Sequence, residues 1–175
     1  MGMTMELCAA SDATIRRLMA RPEGIREFVA AKPSGQPGFL ARLFGAKPAP
    51  ARLDLHKSFH GIQYLLTGKA TGESDTECHW LLSGGTAIGD VDIGYGPARA
   101  LDSSQTRRWA AFLAAVDEAE MRSRFDPSAM RAASVYPDIW DEEDVLDETM
   151  DYFAELRAFV QARADAGEGV LIMLA

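Results

Sequence analysis

The last nine residues, Gly167-Glu168-Gly169-Val170-Leu171-Ile172-Met173-Leu174-Ala175, decide the fold class. Side chains of a strand point alternately to its two faces, and the run from Val170 to Leu174 offers no polar face. Such a strand has to be covered on both sides, so it belongs in the middle of a sheet with helices above and below. Just before it, Leu146, Met150, Phe153, Leu156, Phe159 and Val160 recur at the spacing of one buried helix stripe. Asp141-Glu142-Glu143-Asp144 crowd the start of that helix, where the positive dipole end favours acids. Arg157 and Arg163 stand towards its other end, and Gly167 is placed to terminate it.

Working back along the chain, Met3 to Ala9 predicts a first strand, and Ser11 an N-cap for a helix through Ile15, Leu18 and Met19. Phe59, Ile62 and Leu66 share one helical face, closed by Thr67-Gly68. Five glycines between Gly84 and Gly96 predict tight turns in place of a regular element, followed by a short strand from Pro97 to Leu101. Ser103 or Ser104 then caps a helix with the stripe Trp109, Phe112, Leu113 and Val116, which ends near Phe125, and a short helix follows from Pro127 to Ala133. The expected architecture is α/β: a single compact domain over residues 1–175, with a mixed sheet that includes the N- and C-terminal strands and is flanked by helices. Residues 32–50, with four prolines and three glycines, are expected to form a surface loop.

With 175 residues and 47% apolar side chains, the chain is long enough for one sizeable core. No apolar stretch has the length of a membrane helix, and the first residues lack the basic and apolar runs of a signal peptide, so a cytoplasmic address is expected, with no membrane partner. Cys8 and Cys78 have no CxxC partner, which argues against a metal knuckle. The net charge of −8 is unevenly spread: residues 1–60 carry +4, residues 61–110 carry −2 and residues 111–175 carry −10. A field of that sign repels phosphate, so nucleic acid is not an expected partner, whereas a basic protein is.

Familiar catalytic motifs fail on inspection. Gly84 and Gly89 have phosphate-loop spacing, but Asp90 stands where that loop needs lysine. Gly94-Tyr95-Gly96 opens like a dinucleotide fingerprint, yet Arg99 occupies the place of its third glycine. Tyr95 and Leu101 replace the glycine and the glutamate that a calcium loop begun at Asp90 would need. His56 and His60 have the spacing of a zinc helix, but Lys57 replaces its glutamate and no third ligand is evident, so neither metal nor cofactor is expected. What survives is a polar constellation: Asp54, Lys57 and His60 near a helix start, with Asp90, Asp92, Tyr95 and Arg99 in or just after the glycine-rich turn. Brought together, these would supply a titratable imidazole, carboxylates and a guanidinium able to grip an anion, the parts of an acid–base or binding site.

Several of these segments together resemble one family. They are Met1-Gly2-Met3, Leu53-Asp54-Leu55 with Lys57 and His60, Leu65-Leu66-Thr67-Gly68, Gly84-Gly85 with Ile88-Gly89, Gly94-Tyr95-Gly96-Pro97-Ala98-Arg99, Tyr136-Pro137 with Trp140, and Gly167-Glu168-Gly169. The pattern is similar to that of the bacterial YfbM-like family, domain of unknown function 1877, and spans nearly the whole chain. The resemblance implies a small cytosolic α/β domain and brings no catalytic residues with it.

Two functional expectations follow. The first is a non-enzymatic binding or protein-interaction domain, for instance an immunity-type protein that covers a basic partner. Its surface would hold Asp138, Asp141, Glu142, Asp144, Asp147, Glu148 and Asp151. The second is a small enzyme or small-molecule-binding domain that uses the polar constellation around residues 84–99. Oligomeric state is not legible from the sequence.

Overall fold

The computed structural model of the chain describes residues 2–30, 50–71 and 76–175. The expected loop at 32–50 falls, but for Pro50, outside the described residues. Five strands form one sheet: β1 (Met5–Ala10), β2 (Arg52–Asp54), β3 (Thr86–Asp92), β4 (Pro97–Leu101) and β5 (Gly169–Leu174), in the order β2-β1-β5-β4-β3. The terminal strands pair along their full length, from Met5 opposite Leu174 to Ala10 opposite Gly169. β5 is therefore central, as its unbroken apolar run requires. Val170 and Ile172 enter the core on one face of the sheet, while Leu171 and Met173 enter the core on the other.

The smaller core lies under α1 (Asp12–Ala20) and α2 (Gly24–Ala30), which bury Ile15, Leu18 and Ile25. The larger one takes α3 (Phe59–Thr67), the short α4 (Trp80–Ser83) that follows a 3-10 turn at Glu77–His79, α5 (Ser103–Ala114), α6 (Glu118–Ser123) and α8 (Val145–Asp165). The α7 helix (Pro127–Ala132) and the segment after it build a satellite cluster of Ala70, Met130, Val135, Trp140 and Val145.

The α/β class and the terminal strands stand as the sequence indicates, but the sense of the sheet differs, because every ladder is antiparallel. The two long helices between β4 and β5 explain the difference. A single helix would carry the chain to the far end of the sheet and start β5 parallel to β4. Here the chain goes out on α5 and back on α8, so Leu101 at the end of β4 lies opposite Val170 at the start of β5.

The glycine-rich segment holds a strand that its composition hides. Gly85 (φ +85°) turns the chain into β3, and a Cβ there would lie 2.5 Å from the Ala100 carbonyl oxygen. Gly89 (φ +56°) sits where the β3–β4 register shifts, packed beneath Pro22. The glycines thus serve the bulge and the ends of a strand whose hydrogen bonds run to β4.

Helix boundaries differ in three places. The cap of α5 is Asp102, one residue before the expected serines: its carboxylate accepts from the Gln105 N–H at 2.8 Å, and the Gln105 side chain accepts from the Asp102 N–H at 3.0 Å. This reciprocal capping box satisfies two N–H groups that the helix cannot. Asp102→Ala should therefore lower unfolding free energy by about 1 kcal/mol, read from a urea titration. The expected continuation to Phe125 is interrupted at Asp117, whose carboxylate caps the separate α6. Finally, Asp141 to Asp144 precede α8 instead of forming its first turn, with Asp144 in the left-handed region (φ 65°).

Candidate functional site

His60 projects from the first turn of α3, and both of its ring nitrogens are engaged with backbone. Nε2 lies 2.6 Å from the Ala70 carbonyl oxygen, and Nδ1 accepts from the Tyr136 N–H at 3.0 Å. A carbonyl can only accept and an N–H can only donate, so the ring is the neutral tautomer with its proton on Nε2. The imidazole clasps three segments and has no nitrogen left for proton transfer.

Arg99 is similarly occupied. It lies in β4, and Nη1 donates to the carbonyls of Gly84 (2.5 Å) and Trp80 (3.3 Å) while Nη2 donates to that of Leu81 (2.8 Å). The carbonyls of Leu81 and Gly84 lie at the end of α4, where a helix has no N–H to offer them, while that of Trp80 also accepts from the Gly84 N–H at 3.1 Å. Burial pushes the Arg99 pKa down to about 10, still far above neutrality, so the group stays charged while it caps. Arg52 does the same for α2 through the Phe28 and Val29 carbonyls, and Arg124 for α3 through those of Leu65 and Leu66. Sequence reading missed this shared role, since the arginines are distant in sequence from the helices they cap.

The rest of the polar constellation disperses. The Asp92 carboxylate accepts from the N–H groups of Gly94 and Gly96, which lowers its pKa from the usual carboxylate value. Asp90 is exposed on β3. Tyr95, with 52% of its surface exposed, projects from the β3–β4 turn, where its N–H donates to the Leu174 carbonyl. His60 and Arg99 belong to separate hydrogen-bond sets, with no common partner among the described residues. Nor does any group of three or more His, Cys, Asp or Glu among those residues have the arrangement to hold a metal ion. Burial pushes the Cys8 thiol up to about 11, which keeps it a thiol inside the core.

Asp54 has a different neighbourhood from the one its sequence position suggests. Its carboxylate accepts from the His56 N–H at 2.7 Å, and the His56 ring meets Tyr152 of α8 edge-on at 5.7 Å. Burial raises the Tyr152 pKa, and the negative charges of Glu155, Asp54 and Glu148 raise it further. Asp54 thus joins the field of α8. Along that helix Glu148, Asp151 and Glu155 follow at intervals of three and four, in line with Asp144 just before its start, and all four are exposed. Lys57 lies beside Glu148 at a small cleft formed with Pro137 and Trp140.

Not all of the expected acidic surface is free. Arg131 pairs with both Asp138 and Asp141, and Arg122 pairs with Asp147 at 2.6 Å. Glu142, Asp144, Glu148 and Asp151 make no ion pair among the described residues. Glu155 completes the stripe; helical spacing alone could have found it.

A family profile described as a domain of unknown function, DUF1877, matches residues 1–173. The chain belongs to the DUF1877 family. Its fold is similar to the crystal structure of YfbM from Escherichia coli, a protein of unknown function, with a TM-score of 0.72 at 13% identity over 98% of this chain and 99% of that one. At that identity the likeness establishes the fold of this DUF1877 member and nothing of its activity. No curated protein matches the chain. No helix among the described residues of this DUF1877 domain is long and apolar enough to cross a membrane.

Proposed function

We propose that this DUF1877 protein is a binding domain, not an enzyme, and that it meets a basic protein partner through the exposed acidic stripe of α8. One observation carries the reading. Asp144, Glu148, Asp151 and Glu155 lie open along one helix face with Asp54 beside it, while the imidazole and guanidinium that acid–base chemistry would need are spent on backbone carbonyls and amides. Like charges held together on an exposed face cost free energy unless something offsets them, and a cationic partner does so. Tyr152, edge-on to His56, adds an aromatic ring beside the charges, a residue type on which binding energy concentrates.

The test starts with gentle purification from the cells that make the protein and native mass spectrometry to identify a stoichiometric protein companion. With that companion in hand, the triple variant Glu148→Lys, Asp151→Lys, Glu155→Lys should lower the association rate at least about tenfold at low salt, and raising the salt should slow the wild type. Association that ignores both salt and the triple variant would sink the reading. Since all three positions face solvent, the variant should unfold at nearly the same temperature as the wild type.

A further inference from the structure

On the other side of the sheet, the turn between α1 and α2 encloses a concavity of about 490 Å³, open to solvent. Its lining combines apolar and charged groups: Leu18 and Phe28, the side chains of Arg17, Arg21 and Glu27, and the bare backbone of Gly24. The volume falls within the range of about 300–1,000 Å³ typical of small-molecule pockets.

Three features separate this place from an ordinary surface dip. First, most other arginines have work to do: Arg26, Arg52, Arg99, Arg108, Arg122, Arg124, Arg131, Arg157 and Arg163 all donate side-chain hydrogen bonds. Arg17 and Arg21 make no side-chain hydrogen bond or ion pair among the described residues, although they lie one helical turn apart and line the same hollow. Secondly, two guanidinium groups against the single carboxylate of Glu27 leave the lining at +1 in a chain whose net charge is −8. Thirdly, Gly24 keeps the hollow empty without conformational need, since its φ is ordinary and a Cβ there would meet only Leu18 Cδ2, at 3.6 Å.

We propose that this concavity binds an organic carboxylate with an apolar body, with the carboxylate between Arg17 and Arg21 and the apolar body on Leu18 and Phe28. Guanidinium groups match carboxylate geometry through paired N–H donors, and a half-buried aromatic ring offers a flat apolar wall. The surplus of one positive charge suits a monoanion. The site is independent of the α8 stripe, so the two can be tested separately.

Decanoate, decanol and acetate, each below any aggregation concentration, serve as probes in NMR titrations of the intact protein. The signals followed are the Arg17 and Arg21 side-chain N–H groups and the Phe28 ring. Decanoate should move these signals saturably, with decanol and acetate at least tenfold weaker, since one lacks the charge and the other the apolar body. Arg17→Gln with Arg21→Gln should weaken decanoate at least tenfold. Gly24→Leu, which fills the hollow, should abolish binding with an unchanged melting temperature. If the leucine variant proves unstable, the exposed glutamine pair alone decides. Equal binding of decanol and decanoate, no movement of Arg17, Arg21 and Phe28, or full decanoate affinity in the glutamine pair would overturn the proposal.

Discussion

Arg99→Ala should cost about 3–5 kcal/mol of unfolding free energy, from the buried acceptors it leaves without a donor and the packing lost with its side chain. The reason lies in the partners left behind. Carbonyls of Trp80, Leu81 and Gly84 converge on one guanidinium at the end of α4. Removing the donor strands the Leu81 and Gly84 carbonyls, since that of Trp80 keeps the Gly84 N–H, and each unsatisfied group costs roughly 1–3 kcal/mol. Trp80, which begins α4, is itself buried in the larger core, so loosening this helix end also disturbs packing there. For a domain of this size, the loss corresponds to a fall in melting temperature of about 6–20 °C.

Arg99→Lys provides the control. A single ammonium keeps the charge but cannot present two nitrogens to three carbonyls spread over a helix end, so it should recover only part of the loss. A catalytic or ligand-gripping arginine would behave in the opposite way, with stability hardly changed on mutation to alanine. A loss below about 1 kcal/mol for Arg99→Ala would therefore reopen the anion-gripping role that the sequence suggests for this residue.

The contrast between Arg99 and Val170 to Leu174 shows what a sequence can disclose. An unbroken apolar strand admits only one kind of environment, and β5 is indeed the middle strand of the sheet. The helix stripe of α8 is equally legible, because Met150, Phe153, Leu156 and Val160 repeat at the period of the helix and are all buried. A charged residue is ambiguous in a way those residues are not. Whether Arg99 meets a substrate or three carbonyls depends on which loop end the sheet brings above it, and that is a property of chain crossings. Glycines are ambiguous for a related reason, since Gly85 and Gly89 mark places where the backbone turns or bulges without saying that a strand lies between them. For the acidic surface, the density of acids marks Asp138 to Asp151 but neither Glu155 nor the arginines that pair with Asp138, Asp141 and Asp147, because Arg131 and Arg122 come from preceding helices.

Trp140 is where the stability of the fold and the presentation of that acidic surface meet. It follows Asp138 and precedes Asp141 to Asp144, yet its indole is buried among Ala70, Met130, Val135 and Val145, with Nε1 donating to the Val135 carbonyl at 2.8 Å. The ring lies over α3 at Gly61, where a Cβ would come within 2.5 Å of Cη2 and 3.0 Å of Cζ3. Together with the His60 bond to the Tyr136 N–H, this packing fixes the segment between α7 and α8 on α3. Trp140→Ala should cost about 3–5 kcal/mol, through lost burial and the cavity left behind. Gly61→Ala should destabilise as well, by about 1–3 kcal/mol, although alanine is the better helix former in isolation. The two effects have one cause, so they should not add: in a Trp140→Phe background the alanine at position 61 gains room, and its cost should shrink or reverse. Additive losses in that double-mutant cycle would mean that the indole does not rest on Gly61. Coupled losses, accompanied by slower association of the Trp140→Phe protein with the proposed basic partner, would mean that the acidic surface depends on an anchor packed beneath it as well as on charge.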